Sequence, residues 1–291
     1  MRLAVALLSL ASALPVSAAD VVRVVSSEQD FAVNSWLVPT SHGIVVIDTQ
    51  FTVAEASKLV EAVAQTHRPL KAIIITHPHP DHYNGTCELL KVARVPVYAT
   101  QATIDGIRAT AESKRAQWKP AYGKDYPDTT CVPNHVVARS GSVRIDGLEF
   151  QFRDYGPGEA LGESITLAPT LHAAFVGDII YNHVHPWLAE GRSTPWLAQL
   201  DRLTGDIPAD WIVYPGHGPS AGVAVIDAQR QYITDFRAEV QVQLGPSGLA
   251  PDSIKRIAEG ERSRHPGWPL ETLIPTNAEA VAKELSGTGA Q

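Results

Sequence analysis

The sequence predicts an α/β fold, a four-layer αββα sandwich with helices outside and two sheets packed face to face within. Three observations carry this. Segments rich in β-branched residues fall into two groups, residues 21–98 and 135–214. Each group is interleaved with, or followed by, segments whose apolar residues recur at helical spacing. The composition, 44% apolar and 19% charged over 291 residues, supplies enough apolar surface for a sizeable core.

Taken in order, Arg2 precedes an apolar stretch over residues 3–14, and Val16-Ser-Ala-Ala-Asp20 follows with small residues. That pattern is a cleaved signal peptide over residues 1–19, too short to span a bilayer. It leaves residues 20–291 as a single domain with a C-terminal helical extension, and predicts a periplasmic or secreted protein. Strands are expected at residues 21–25, 31–38 and 43–48, separated by turn formers. A helix is expected from Thr52, a capping residue, to Thr66, with Ala56, Leu59, Val60 and Val63 on one face. Residues 71–76 form a continuous apolar strand; a helix follows over 81–92, then a strand at 95–98 and a helix at 101–115. Residues 116–133, rich in Pro, Lys, Asp and Tyr, read as an irregular insertion. Strands are expected again at 135–138, 142–145, 148–152, 165–168 and 173–176, with Gly141 and Gly147 marking turns. The final third reads as a helix (196–203), a strand (211–214) and helices at 221–242, 252–260 and 277–285.

The chemistry concentrates in residues 77–82, His-Pro-His-Pro-Asp-His, at the end of the apolar strand. Neutral imidazoles and carboxylates are the ligands of open catalytic zinc sites. Extended geometry sends His77 and His79 to one side, and Asp81 and His82 sit where the chain turns into a helix, within reach of a second ion. A polar turn without a metal would leave polar groups at a strand end for no gain. Three later turns offer acidic or histidine side chains at strand ends: Gly156-Pro-Gly-Glu159, Gly177-Asp178 and Pro215-Gly-His217-Gly.

His77-x-His79-x-Asp81-His82, then Gly-Asp178, then Pro-Gly-His217-Gly, resembles the metallo-β-lactamase superfamily in order and spacing over nearly the whole chain after the leader. The resemblance implies an αββα sandwich with one or two metals in a groove at one edge. It assigns His77 and His79 to a first metal, Asp81, His82 and His217 to a second, and Asp178 to the bridging carboxylate. Where the family usually places a third histidine for the first metal, this chain has Glu159. Either Glu159 is a carboxylate ligand or the first site is degenerate. His172, His183 and His185 do not obviously fill that place. The resemblance implies two zinc ions, and Glu159 makes manganese or iron acceptable too, since hard carboxylate oxygens suit those ions. Tyr181, three residues after Asp178, matches a tyrosine of the superfamily's lactonases and is expected either to donate a hydrogen bond to the substrate carbonyl or to cap the groove edge. Ser164 has no adjacent base and reads as ordinary strand polarity. Residues 182–187 and Trp118, Tyr122 and Tyr126 are expected to wall the substrate site.

The implied reaction is hydrolysis by a metal-activated hydroxide of a carbonyl ester, lactone, thioester or amide, with Asp178 or Asp81 steering the water. Asp178 points away from the superfamily's β-lactamases, which generally carry Cys or Ser there; a periplasmic β-lactamase is nonetheless the enzymatic rival. A metal-binding protein with a degenerate first site is the non-catalytic rival. A net charge of −7 excludes nucleic acid and anionic membrane as partners and leaves a small-molecule substrate. The sequence does not fix the oligomeric state. Cys87 and Cys131 lack metal-ligand spacing and either pair or stay free.

Overall fold

The computed structural model describes residues 20–287; the expected signal peptide lies outside them. The first sheet contains β1 (Val22–Val25), β2 (Asn34–Pro39), β3 (Ile44–Ile47), β4 (Leu70–Ile74), β5 (Val97–Thr100) and β6 (His135–Val137), in that spatial order. The first three pair antiparallel, and β3 to β6 run parallel. Parallel neighbours need crossovers. These are α1 (Val53–Gln65) between β3 and β4, α2 (Pro80–Tyr83) with α3 (Thr86–Val92) between β4 and β5, and α4 (Gln101–Tyr122) between β5 and β6.

The second sheet holds β7 (Ser142–Ile145), β8 (Leu148–Gly156), β9 (Glu163–Ala168), β10 (Ala173–Tyr181), β11 (Ile212–His217) and β12 (Ala221–Gly222), with β10 and β11 parallel across α5 (Ser193–Asp206). Helices α6 (Ala224–Gln243), α7 (Pro251–Arg264) and α8 (Ile274–Leu285) complete the chain. None of the helices among the described residues is long and apolar enough to cross a membrane.

Three apolar clusters separate the layers. Val45, Ile47 and Ile74 of the first sheet meet Phe150, Phe152 and Phe175 of the second in the middle. Leu59, Leu89, Ile104 and Ile107 pack α1, α3 and α4 on the first sheet's outer face. Trp196, Leu200, Ile233, Phe236, Ile257 and Val281 pack the last four helices on the second sheet. Alternation along β8 shows the pattern: Leu148, Phe150 and Phe152 are buried while Glu149, Gln151 and Arg153 between them are only partly so. Truncating Phe175 to alanine in this central layer would cost about 3–5 kcal/mol. The αββα sandwich expected from the sequence is the observed fold.

Local differences have physical causes. The expected helix over 81–92 is two helices, because Gly85 packs against Thr49, whose carbonyl would lie 1.8 Å from a Cβ at residue 85. Residues 116–122, expected as irregular, continue α4, with Pro120 near its end; Trp118 and Tyr122 pack edge-on around Phe51, and that burial outweighs weak local propensity. Cys87 and Cys131 form a disulfide across 44 residues, a closure worth about 4 kcal/mol in the chain-entropy account. It ties the segment after α4 back to α3.

Candidate metal centre

Strand ends and turns of both sheets deliver the candidate residues to one edge of the sandwich. His77 and His79 follow β4, His82 lies in α2, Asp178 is in β10 and His217 ends β11. Glu159 lies in the β8–β9 connection. Two backbone features make the approach feasible. Gly177 has φ 53, which lets β10 kink where Asp178 emerges. At Gly216 a Cβ would come within 1.8 Å of Asp178 Oδ1, so only glycine leaves room for that carboxylate.

The seven predicted ligands converge in two overlapping groups. His77, His79, Glu159 and Asp178 each offer a ligand atom within 4.8 Å of the others, and so do Asp81, His82, Asp178 and His217. Asp178 belongs to both. Its Oδ1 lies 3.1 Å from His82 Nε2, and its Oδ2 lies 3.5 Å from His77 Nε2 and 3.3 Å from His217 Nε2. Asp81 Oδ2 is 3.5 Å from both His82 Nε2 and His217 Nε2. His79 Nδ1 is 3.3 Å from Glu159 Oε2.

The outer nitrogens of the rings explain why the inner ones face the centre. Thr76 Oγ1 donates to Asp48 Oδ2 at 2.8 Å, so it accepts from His77 Nδ1 at 2.9 Å. His82 Nδ1 donates to the same Asp48 oxygen at 2.8 Å, and His217 Nδ1 donates to the Phe31 carbonyl at 2.8 Å. With Nδ1 carrying the proton in all three, each Nε2 presents a lone pair inward, the orientation that outer partners impose on metal-binding histidines. His79 is turned the other way, its Nε2 3.5 Å from Glu190 Oε1. The inward atoms are buried without hydrogen-bond partners: Nε2 of His77, His82 and His217, Oδ1 of Asp178 and Oε2 of Glu159. Buried polar atoms are normally satisfied. Five orphans aimed at one another, all nitrogen or carboxylate oxygen, fit divalent cations.

Burial alone would lower the His82 and His217 pKa values, but Asp178 and Asp81 outweigh it, lifting His217 to about 9 and His82 well above its usual range. Without a cation the neighbouring acids draw a second proton onto these rings, a positive charge that a bound cation would replace. Burial pushes Asp178 and Asp81 up, yet the surrounding imidazoles hold both well below the usual carboxylate range. Glu159 behaves oppositely: burial, then Asp178 and Glu163, raise it well above its ordinary value. Glu163 is itself raised to about 7, chiefly by burial.

Sequence reasoning missed Asp48, Glu163 and Glu190. Asp48 ends an apolar strand, a position shared with Asp178, and that is a usable signal. Glu163 and Glu190 carried none. Among the expected wall residues, Trp118 and Trp187 line the cleft in front of Asp178, together with Tyr181. Others do not. Tyr126 is buried, Tyr122 donates to the Gln29 carbonyl, Asn182 donates to the Pro219 carbonyl and His185 pairs with the Tyr232 hydroxyl. His183 packs on Trp268, and His172 sits at the far β9–β10 turn beside Asp210. The Tyr181 hydroxyl donates to Asp178 Oδ2 at 2.6 Å, and its ring stacks on His217 at 4.6 Å. Its proton is thus directed at the Asp178 carboxylate. Ser164 donates to the Thr76 carbonyl at 2.6 Å and is structural.

Comparison with known proteins agrees with this geometry. The family model for the metallo-beta-lactamase superfamily matches residues 29–217. A metallo-beta-lactamase type 2 of Bacteroides fragilis is 26% identical over 207 residues, covering 70% of this chain and 76% of the relative. A hydroxyacylglutathione hydrolase of Tolumonas auensis is 26% identical over 251 residues, covering 85% and 78%. The solved metallo-beta-lactamase from Pontibacter korlensis superposes with a TM-score of 0.54 at 20% identity, over 70% of this chain and 87% of that one. With the family match spanning well over half of its length and the two-sheet sandwich in common, the chain belongs to the metallo-beta-lactamase superfamily and is a hydrolase of that fold.

Proposed function

We propose that His77, His79, Glu159, Asp81, His82, Asp178 and His217 hold two divalent ions, zinc with manganese or iron also accepted, and that the enzyme hydrolyses a carbonyl ester, lactone, thioester or amide. One observation carries the reading: three buried imidazoles present unpartnered Nε2 atoms to the two oxygens of Asp178 on the floor of a cleft. When bound, such ions polarise a carbonyl and bring the pKa of water toward neutrality.

The protein's own groups supply orientation. Asp178 faces both clusters and is held in place by Tyr181. That bond makes Tyr181 a positioning residue for Asp178. Asp81 lines the cleft and is more exposed than Asp178, its side chain 13% accessible, so it can accept a hydrogen bond from attacking water and orient it. Asp48 fixes the His82 tautomer directly and that of His77 through Thr76. No serine, cysteine or lysine nucleophile is required. Lys114 is the only Lys or Arg among the described residues lining the cleft, which disfavours phosphodiesters as substrates. The Cys87–Cys131 disulfide favours an oxidising compartment, in keeping with export and cleavage after Ala18 or Ala19; N-terminal sequencing of the mature protein checks that step.

The test is metal analysis with a panel of chromogenic esters, lactones, thioesters and the β-lactam nitrocefin. Two equivalents of metal with turnover of esters or lactones is the expected result. Fast nitrocefin hydrolysis with inert esters would replace the substrate class by β-lactams. Full metal content with no turnover of any member would favour a non-catalytic metal-binding protein.

A further inference from the structure

The cleft has an apolar wall assembled from separate parts of the chain: Phe31 before β2, Trp118 of α4, Trp187 after β10, and Leu270 and Leu273 before α8. Two of these sit on unusual backbone. Phe31 has φ 69 and Leu270 φ 68, a region where a Cβ is unfavourable and glycine would be at ease. A large apolar side chain kept there at a cost of order 1–3 kcal/mol per residue needs a reason, and both side chains line the cleft. The two segments are also fastened together. Glu28 Oε1 accepts from the Leu270 N–H at 3.0 Å, the Phe31 carbonyl holds His217, and the Pro269 carbonyl accepts from the His185 N–H at 3.1 Å. Phe31 packs edge-on against Trp118 with centroids 5.2 Å apart. The wall is therefore a built surface.

Its charge is equally informative. Lys114 Nζ lies 3.4 Å from Glu190 Oε1, and Glu190 also meets Arg192 at 3.0 Å. The cation at the cleft thus already has an anionic partner, and an incoming anion would have to compete with it.

Resting on the hydrolase reading, we propose that this wall is the subsite for an uncharged alkyl or aryl group attached to the scissile carbonyl, so that the substrate is a hydrophobic ester or lactone. Leu270 and Leu273 lie beyond the family match at 29–217, which makes the C-terminal segment a determinant of specificity.

The experiment uses the full, metal-loaded enzyme. Binding of neutral 1-alkanols from butanol to decanol is followed by tryptophan fluorescence, alongside turnover of p-nitrophenyl esters from acetate to octanoate. Affinity is expected to rise with each methylene, up to about fourfold for full burial, and KM to fall in parallel. Leu273→Asp, at a half-buried position, should flatten both slopes without changing metal content or circular dichroism; Trp118→Ser is the second variant. A flat wild-type series, or slopes untouched by both variants, overturns the subsite. So does octanoate binding tenfold tighter than octanol in a way that Lys114→Met removes, which would indicate an anionic substrate. Alkanol binding with the expected slope but no turnover of any ester, lactone or thioester would sink the proposed carbonyl-ester reading and leave the apolar site standing.

Discussion

The two clusters that share Asp178 are built from different chemistry. In the group of Asp81, His82, Asp178 and His217, carboxylates and imidazoles balance: the acids are held ionised and the histidines are raised by them. In the group of His77, His79, Glu159 and Asp178, burial lowers His79, while Glu159 is pushed up beside a further buried carboxyl, Glu163. Both Glu163 oxygens are buried without a partner. The balanced cluster has counter-charges of its own. The acid-rich one has carboxyls that burial and mutual repulsion hold toward the neutral form, with protons that a cation would displace, and its oxygen donors favour harder ions than an all-histidine site does.

The largest break in this comparison is Asp178→Ala. It removes the one group common to both clusters and should lower kcat/KM by at least roughly 10²–10³-fold, the scale for deleting one preorganised electrostatic group, with metal content falling at both sites. Asp81→Ala touches one cluster alone. It should abolish measurable turnover while circular dichroism stays native; wild-type activity in that variant would show that water is oriented elsewhere. Asp48→Ala should weaken metal affinity by about 10–100-fold, the usual effect of losing an outer partner of a ligating histidine, measured by chelator competition. Glu159→His sharpens the contrast from the other side: it trades a carboxylate for an imidazole and should raise zinc affinity relative to manganese. An unchanged preference would mean that Glu159 does not touch the ion.

A smaller effect follows from pH in the metal-free protein. Glu163, raised to about 7, and His217, raised to about 9, both have folded-state values above their unfolded ones. The folded state therefore binds the extra protons, and this stabilisation is present at low pH and lost as pH rises through those values. His185, lowered to about 4, and His79, also lowered, oppose this only below pH 6.5. Thermal unfolding of the chelated protein should therefore shift to lower temperature from pH 6.5 to pH 9, and divalent metal should flatten the dependence. A chelated protein growing more stable over that range would contradict the charge picture.

The parts of this arrangement legible in the sequence were those written in short range. Six residues from His77 to His82 hold three imidazoles and a carboxylate, and Asp178 and His217 each follow a glycine just after an apolar run. The layers followed from apolar spacing in the same way, as with Ala56 and Leu59 of α1. What escaped was set by distance in sequence. Asp48 supports His82 across 34 residues, Glu190 reaches His79 through a loop, and Glu28 fastens Leu270 from 242 residues away. No local pattern encodes such pairings, because each depends on the stacking of both sheets. The extension of α4 to Tyr122 escaped for a related reason: its Trp118 and Tyr122 are held by Phe51, a residue of another segment.

Anomalous scattering from crystals of the metal-loaded enzyme, at the zinc, manganese and iron edges, tests the central claim most directly. Two peaks are predicted, both in contact with Asp178, one also with His77, His79 and Glu159 and the other with Asp81, His82 and His217. Peaks lying elsewhere, or no peak beside Asp178 under saturating metal, would contradict it.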